Sequence, residues 1–120
     1  MSMNALWDKW FFGDVQMNMP MKLPYRRLKF EMSQSSDAKR LSKAKVVIEA
    51  FVKYIAAAST LPVPFKNMKA TIERMTYPNS RRVFDLHWNA FRESLSPDEK
   101  LLNCSSPFST IHFFILKANK

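Results

Sequence analysis

Apolar side chains recur at three- and four-residue steps along most of the chain, the spacing that puts them on one face of a helix. Between Met3 and Phe12 this pattern carries Leu6, Trp7, Trp10 and Phe11 and stops at Gly13. It predicts a short helix followed by a glycine, the residue for which a left-handed backbone is cheapest. Met17 to Lys22 has three methionines, Pro20 and no clear period, and reads as a connector. Pro24 to Phe30 predicts a second short helix, because proline suits the first helical position, where its missing N–H would have been unpaired anyway.

The clearest period runs from Ala38 to about Ala58 after a polar turn in which Ser36 or Asp37 is the candidate cap. Leu41, Ala44, Ile48, Phe51, Val52 and Ile55 fall in one stripe. Lys39, Lys43 and Lys53 project near the opposite side, Arg40 and Lys45 flank it, and Glu49 is the one acid in that stretch. Leu61-Pro62-Val63-Pro64 ends the helix, since neither proline can continue it. This is the expected boundary between a domain at 4–60 and an extension at 61–120. In the extension, Phe65, Met68, Ile72 and Met75 predict a fourth helix, Pro78 and Asn79 an interruption, and Phe84, Trp88, Phe91 and Leu95 a fifth helix. Ser96-Pro97-Asp98-Glu99 has the form of a capping box and predicts a short sixth helix that fades by Cys104. Ser105 to Thr110 reads as loop, and Ile111 to Leu116 is open between a strand, a docked tail and an irregular chain end. The expected fold class is all-α: a small domain with a three-helix, helix-turn-helix-like N-terminal half and a helical C-terminal extension.

Composition narrows the function. Apolar residues make up 47% of the 120 and charged residues 24%, which excludes wholesale disorder. A single glycine excludes glycine-rich phosphate loops and dinucleotide fingerprints. The lone Cys104 excludes an internal disulfide framework and fits a reducing compartment. Asp8 and Lys9 interrupt the apolar start, so no signal peptide is expected, and no apolar run is long enough to span a bilayer. The net charge is +9, with a pI near 9.9. Two thirds of that charge lies between Lys22 and Lys53, where nine basic residues face three acids. A concentrated positive patch is what phosphate binding needs, because each neutralised phosphate releases condensed counterions.

The candidate DNA-binding residues follow: Lys22, Arg26, Arg27, Lys29 and Lys53 for phosphates, with Lys39, Arg40, Lys43 and Lys45 approaching base edges. The candidate core is Leu6, Trp7, Trp10, Leu28, Leu41, Ile48, Phe51 and Ile55, the tryptophans packing under the long helix rather than stacking on bases. Catalysis is not expected. Cys104 and His112 make half a metal pair at most, His87 has no serine motif near it, and Glu73, Glu93, Asp98 and Glu99 are scattered or capping. No metal and no cofactor is expected. The rival reading is a helical protein-interaction module without nucleic-acid binding. In it Phe65, Met68, Phe84, Trp88 and Phe91 meet a protein partner or a second copy through residues 61–120.

Leu6-Trp7-Asp8-Lys9-Trp10-Phe11-Phe12-Gly13 has the form Leu-Trp-x-x-Trp-x-x-Gly, and is followed by Pro24-Tyr25-Arg26-Arg27-Leu28 and by Arg40 to Ile48. Over residues 4–56 this order resembles the C-terminal DNA-binding domain of fungal transcriptional activators of glycolytic genes, a domain related to those of crypton-type transposon proteins and similar to Myb-like helical DNA binders. The resemblance implies sequence-directed binding of double-stranded DNA in the nucleus by a transcription-factor-like or mobile-element-derived protein. It also implies that the paired tryptophans and Gly13 are framework, and that Arg40, Lys43 and Lys45 match the basic start of the recognition helix.

Overall fold

The computed structural model describes residues 2–12, 36–95, 102–103 and 105–118. Those residues form an all-α domain of five helices: α1 (Met3–Phe12), α2 (Ser36–Ala58), α3 (Phe65–Glu73), α4 (Tyr77–Leu95) and α5 (Phe108–Ala118). The expected helix at 24–30, with Leu28 of the candidate core, and residues 96–101 of the helix expected after Ser96 lie outside the described residues, while Leu102 and Asn103, where that helix was to fade, are not helical.

The first helix begins as its sequence expectation places it, and the reason is local. Ser2 caps it: the Ala5 N–H donates to Ser2 Oγ (3.2 Å) and the Leu6 N–H to the Ser2 carbonyl (2.9 Å). Met3, Leu6, Trp7, Trp10 and Phe11 are all buried, a complete apolar face in ten residues. That face does not rest on α2 alone. Trp7 meets Phe51 of α2 (ring centroids 5.3 Å apart) and also Phe84 of α4 (5.5 Å), and its Nε1 donates to Ser80 Oγ at 2.9 Å, both residues being buried. The Met3 N–H donates to the Ser106 carbonyl (2.9 Å), and Ser2 forms an isolated antiparallel bridge with Pro107. The N-terminal helix is therefore held by α2, by α4 and by the turn before α5.

Trp10 is equally buried, but its Nε1 finds no acceptor among the described residues. An unpaired buried donor costs about 1–3 kcal/mol, whereas losing one partner of a buried bond adds that cost to the other. Trp7→Phe, which strands Ser80 Oγ, is thus expected to destabilise more than Trp10→Phe. Urea midpoints of the two variants check the order.

Phe51 is the centre of the aromatic core. Its ring lies near those of Trp7, Phe84 (5.5 Å), Trp88 (5.9 Å) and Phe91, stacked with the last at 4.7 Å and 9°. Phe84 and Trp88 stack in turn at 5.5 Å and 6°. Ala44, Val47, Ile48, Val52 and Ile55 of α2, Ile72 of α3, Leu102, and Phe108, Ile111 and Ile115 of α5 complete one cluster. It draws on both sides of the connection at 61–64, so the exposed Leu61–Pro64 segment is a turn within one core. Ser59 Oγ donates to the Ile55 carbonyl (3.0 Å) as α2 ends, and the Asn67 and Met68 N–H groups take the Pro64 carbonyl as α3 begins.

Two expectations are corrected. Pro78 and Asn79 do not interrupt: α4 starts at Tyr77, and Pro78 occupies its first turn, where a missing N–H costs no intrahelical bond. Residues 108–110, expected as loop, and Ile111 to Leu116 belong to one helix. Phe108, Ile111 and Ile115 bury one face at helical spacing. Phe113, Phe114 and Leu116 fill the gaps between them and hide that period in the sequence. Among the described residues no helix is long and apolar enough to cross a membrane.

Candidate nucleic-acid interface

The outward side of α2 follows from its inward one. With Ala44, Val47, Ile48, Phe51, Val52, Ile55 and Ala56 committed to the core, the residues left facing solvent include Lys43, Lys45, Val46 and Lys53. Lys43 and Lys45 are two residues apart and so lie about 160° apart around the axis, on opposite flanks of the exposed half. Val46 and Lys53, seven residues and so about 20° apart around the axis, run down its middle. The cations therefore spread across the whole outward half instead of forming a single line. Val46 is 39% exposed at its centre, which the apolar-versus-polar reading of the sequence passed over. Its spacing from Lys43 and Lys53 was the available signal.

Each lysine has identifiable neighbours. Lys45 Nζ is 3.9 Å from Glu49 Oε1 one turn on, a solvent-exposed pair of the kind worth at most about 1 kcal/mol and readily exchanged for another anion. Lys53 Nζ lies 5.5 Å from the centroid of the Phe65 ring, at the start of α3. On α5, burial lowers the pKa of His112 and the nearby positive charge of Lys43 lowers it further. Lys39 and Arg40 lie in the first turns of α2, and with Leu41 their side chains fall outside the description, while Lys22, Arg26, Arg27 and Lys29 lie outside the described residues. Of the candidate core, Leu6, Trp7, Trp10, Ile48, Phe51 and Ile55 are buried.

A second polar cluster joins α1 to α4. The Tyr77 hydroxyl donates to Asp8 Oδ2 (3.2 Å), and Arg81 Nη1 reaches Asp8 Oδ1 (3.4 Å) and the Asn4 carbonyl (3.5 Å). Arg81 Nη2 pairs with Asp85 (3.4 Å), and the guanidinium lies over the Phe84 ring at 4.7 Å. Burial raises the pKa of Asp8 above its ordinary 3.8, although Arg81 and the Tyr77 hydroxyl pull the other way. A raised carboxyl pKa means that the folded state holds its proton longer than the unfolded chain, so ionising Asp8 costs stability as pH rises through that window. The stability of Asp8→Asn minus that of the native chain is expected to grow as pH rises from below 3.8 to neutrality. Denaturant titrations at a series of pH values check the sign.

The rival's proposed partner surface is a correction. Phe84, Trp88 and Phe91 are buried in the core, and Phe65 and Met68 pack partly buried against it. Among the described residues beyond position 60, the exposed large apolar ones are Leu61, Val63, Tyr77, Leu86, Phe113 and Leu116. Among the described residues no group of three His, Cys, Asp or Glu side chains converges as a metal site would require. His87 and His112 are partly exposed on different helices, Glu93 pairs with Arg92 (3.5 Å), and Cys104, Asp98 and Glu99 lie outside the described residues. Compared with known proteins, the chain matches no family model, no curated protein and no solved structure.

Proposed function

We propose that the chain binds double-stranded DNA without catalysing a reaction, laying the outward half of α2 in the major groove. The observation that carries the reading is the set of exposed lysines at 43, 45 and 53 on one helix, with a single partly buried acid, Glu49, among them. A helix with its side chains is about 10–12 Å across and the major groove about 12 Å wide, so a helix in the groove has a phosphate wall on each side. Lys43 and Lys45, on opposite flanks, suit those two walls better than the base edges. Lys53 is about 15 Å further along the axis from Lys43 and suits a third phosphate. Val46, between the flanks, faces the groove floor, where a thymine methyl is the apolar group to meet. Lys22, Arg26, Arg27 and Lys29 are the proposed additional phosphate contacts, and Lys39 and Arg40 the proposed base-reading residues at the start of the helix. A transcription-factor-like or mobile-element-derived role in the nucleus, with no cofactor, goes with this reading through the family resemblance.

The reading predicts strong salt dependence. With about five phosphates engaged, log affinity for duplex DNA should fall with log salt at a slope near −4.5. Titrations of a random-sequence duplex by fluorescence anisotropy across salt concentrations measure it, and a flat line removes the proposal.

A further inference from the structure

We propose that Ser42 is the phosphate acceptor of a serine/threonine protein kinase that selects basic sequences, and that its phosphorylation releases the chain from DNA. The release rests on the DNA-binding reading above; the acceptor site does not. Lys39 and Arg40 stand three and two residues before Ser42, and no other serine or threonine of the sequence has a basic residue at both of those positions. Kinases select acceptors by such charge patterns, because acidic side chains beside the active site take up the cations. Ser42 is exposed. The hydroxyls of Ser59, Thr71 and Ser94 donate to carbonyls of the preceding turn, but among the described residues no hydrogen bond holds that of Ser42. Its place in the second turn of α2 also matters, since a kinase takes its acceptor segment in extended form. Helix ends open at little cost, and the first buried side chain of α2 among the described residues is Ala44, beyond the acceptor.

In the step itself Ser42 Oγ forms a bond to the γ-phosphorus of ATP and the bond from that phosphorus to the β–γ bridging oxygen breaks. ADP leaves, and the hydroxyl proton passes to the carboxylate base of the kinase. The product carries about 1.5–2 negative charges at neutral pH. Helical register fixes where they fall. Ser42 lies about 40° from Val46 and about 20° from Lys53 around the axis, on the middle line of the outward half of α2. Lys45, three residues on, is within reach of the new phosphate. The modification therefore occupies a cation that the DNA backbone would otherwise use, and puts a like charge on the line that enters the groove. The fold is spared: the phosphate stands on the solvent side of the N-terminal third of the helix, where neither the core nor the helix dipole opposes it.

The test treats the full chain with ATP and the purified catalytic subunit of cyclic-AMP-dependent protein kinase, which selects basic residues at these positions. Fragment mass spectrometry should place the phosphate on Ser42. Duplex affinity at about 0.1 M salt should then fall about 60-fold, the equivalent of two phosphate contacts of about 0.9 log unit each. The salt slope should become shallower by about 1.8, with the melting temperature unchanged. Ser42→Ala, treated in the same way, should take up no phosphate at that position and keep the affinity it had before treatment. Failure to modify Ser42, or a modified chain that binds duplex as the untreated one does, overturns the proposal. So does weaker binding with a lowered melting temperature, which would trace the effect to unfolding. A flat salt slope for the untreated chain removes the DNA reading and the release with it, whereas a steep slope with Ser42 unmodified removes this proposal alone, so the two failures are separately visible.

Discussion

Phe51→Ala is expected to destabilise the domain by about 3–5 kcal/mol, the range for truncating a buried aromatic side chain. Phe51 is fully buried and its ring has four aromatic neighbours, Trp7, Phe84, Trp88 and Phe91, drawn from α1 and α4. Removing the ring opens a space that rigid neighbouring rings cannot collapse to fill, so the cavity cost adds to the lost transfer energy. Domains of this size are stable by only about 5–15 kcal/mol, so the variant should be partly unfolded at mild denaturant concentrations. Phe51→Leu keeps most of the volume and should cost about 1–2 kcal/mol. Guanidinium unfolding of both variants measures the difference; a loss under about 1 kcal/mol for the alanine variant would show that the four rings repack without it.

The second large effect is on binding. Lys43→Gln, Lys45→Gln and Lys53→Gln combined are expected to weaken duplex binding by two to three orders of magnitude at about 0.1 M salt, since each phosphate contact is worth roughly 0.9 log units per decade of salt. All three side chains are exposed, and the contacts they make lie at the surface: the Lys45–Glu49 pair is open to water and Lys53 only overlies the partly buried Phe65. Substitutions at such positions change stability by about 0.5 kcal/mol or less, so the variant should melt with the native chain. Loss of binding without loss of fold separates the lysines from the core that positions them. A change in melting temperature with unchanged binding would assign them a structural role instead.

Much of this domain is legible in its sequence wherever one face is apolar and the other polar. The bounds of α1 and the buried positions Ala44, Ile48, Phe51, Val52 and Ile55 of α2 follow from spacing alone. The same periodicity places Lys43 and Lys53 outside, because burying one face of a long helix leaves the other to solvent. Where apolar residues also fill the gaps between the buried positions, as Phe113, Phe114 and Leu116 do, period carries little information, and residues 108–116 therefore read as loop and an undecided segment. Partners far apart in sequence were equally hidden: nothing near Trp7 announces Ser80, 73 residues on, as the acceptor of its indole N–H. Nor does Phe84, Trp88, Phe91 at helical spacing say whether the stripe faces a partner or the domain's own core. The answer depends on Trp7 and Phe51 arriving from other helices. Pro78 misled because a proline early in a helix and a proline between helices look alike without the cap in view.

The salt slope of duplex binding, measured side by side for the native chain and the triple lysine-to-glutamine variant, tests the central claim most directly. If the outward half of α2 sits between two phosphate walls, the native slope is near −4.5 and the variant slope is shallower by about 2.7, one contact of roughly 0.9 for each lysine removed. Identical slopes, or a native slope near zero, would contradict the account and leave the exposed lysines as a solvated face.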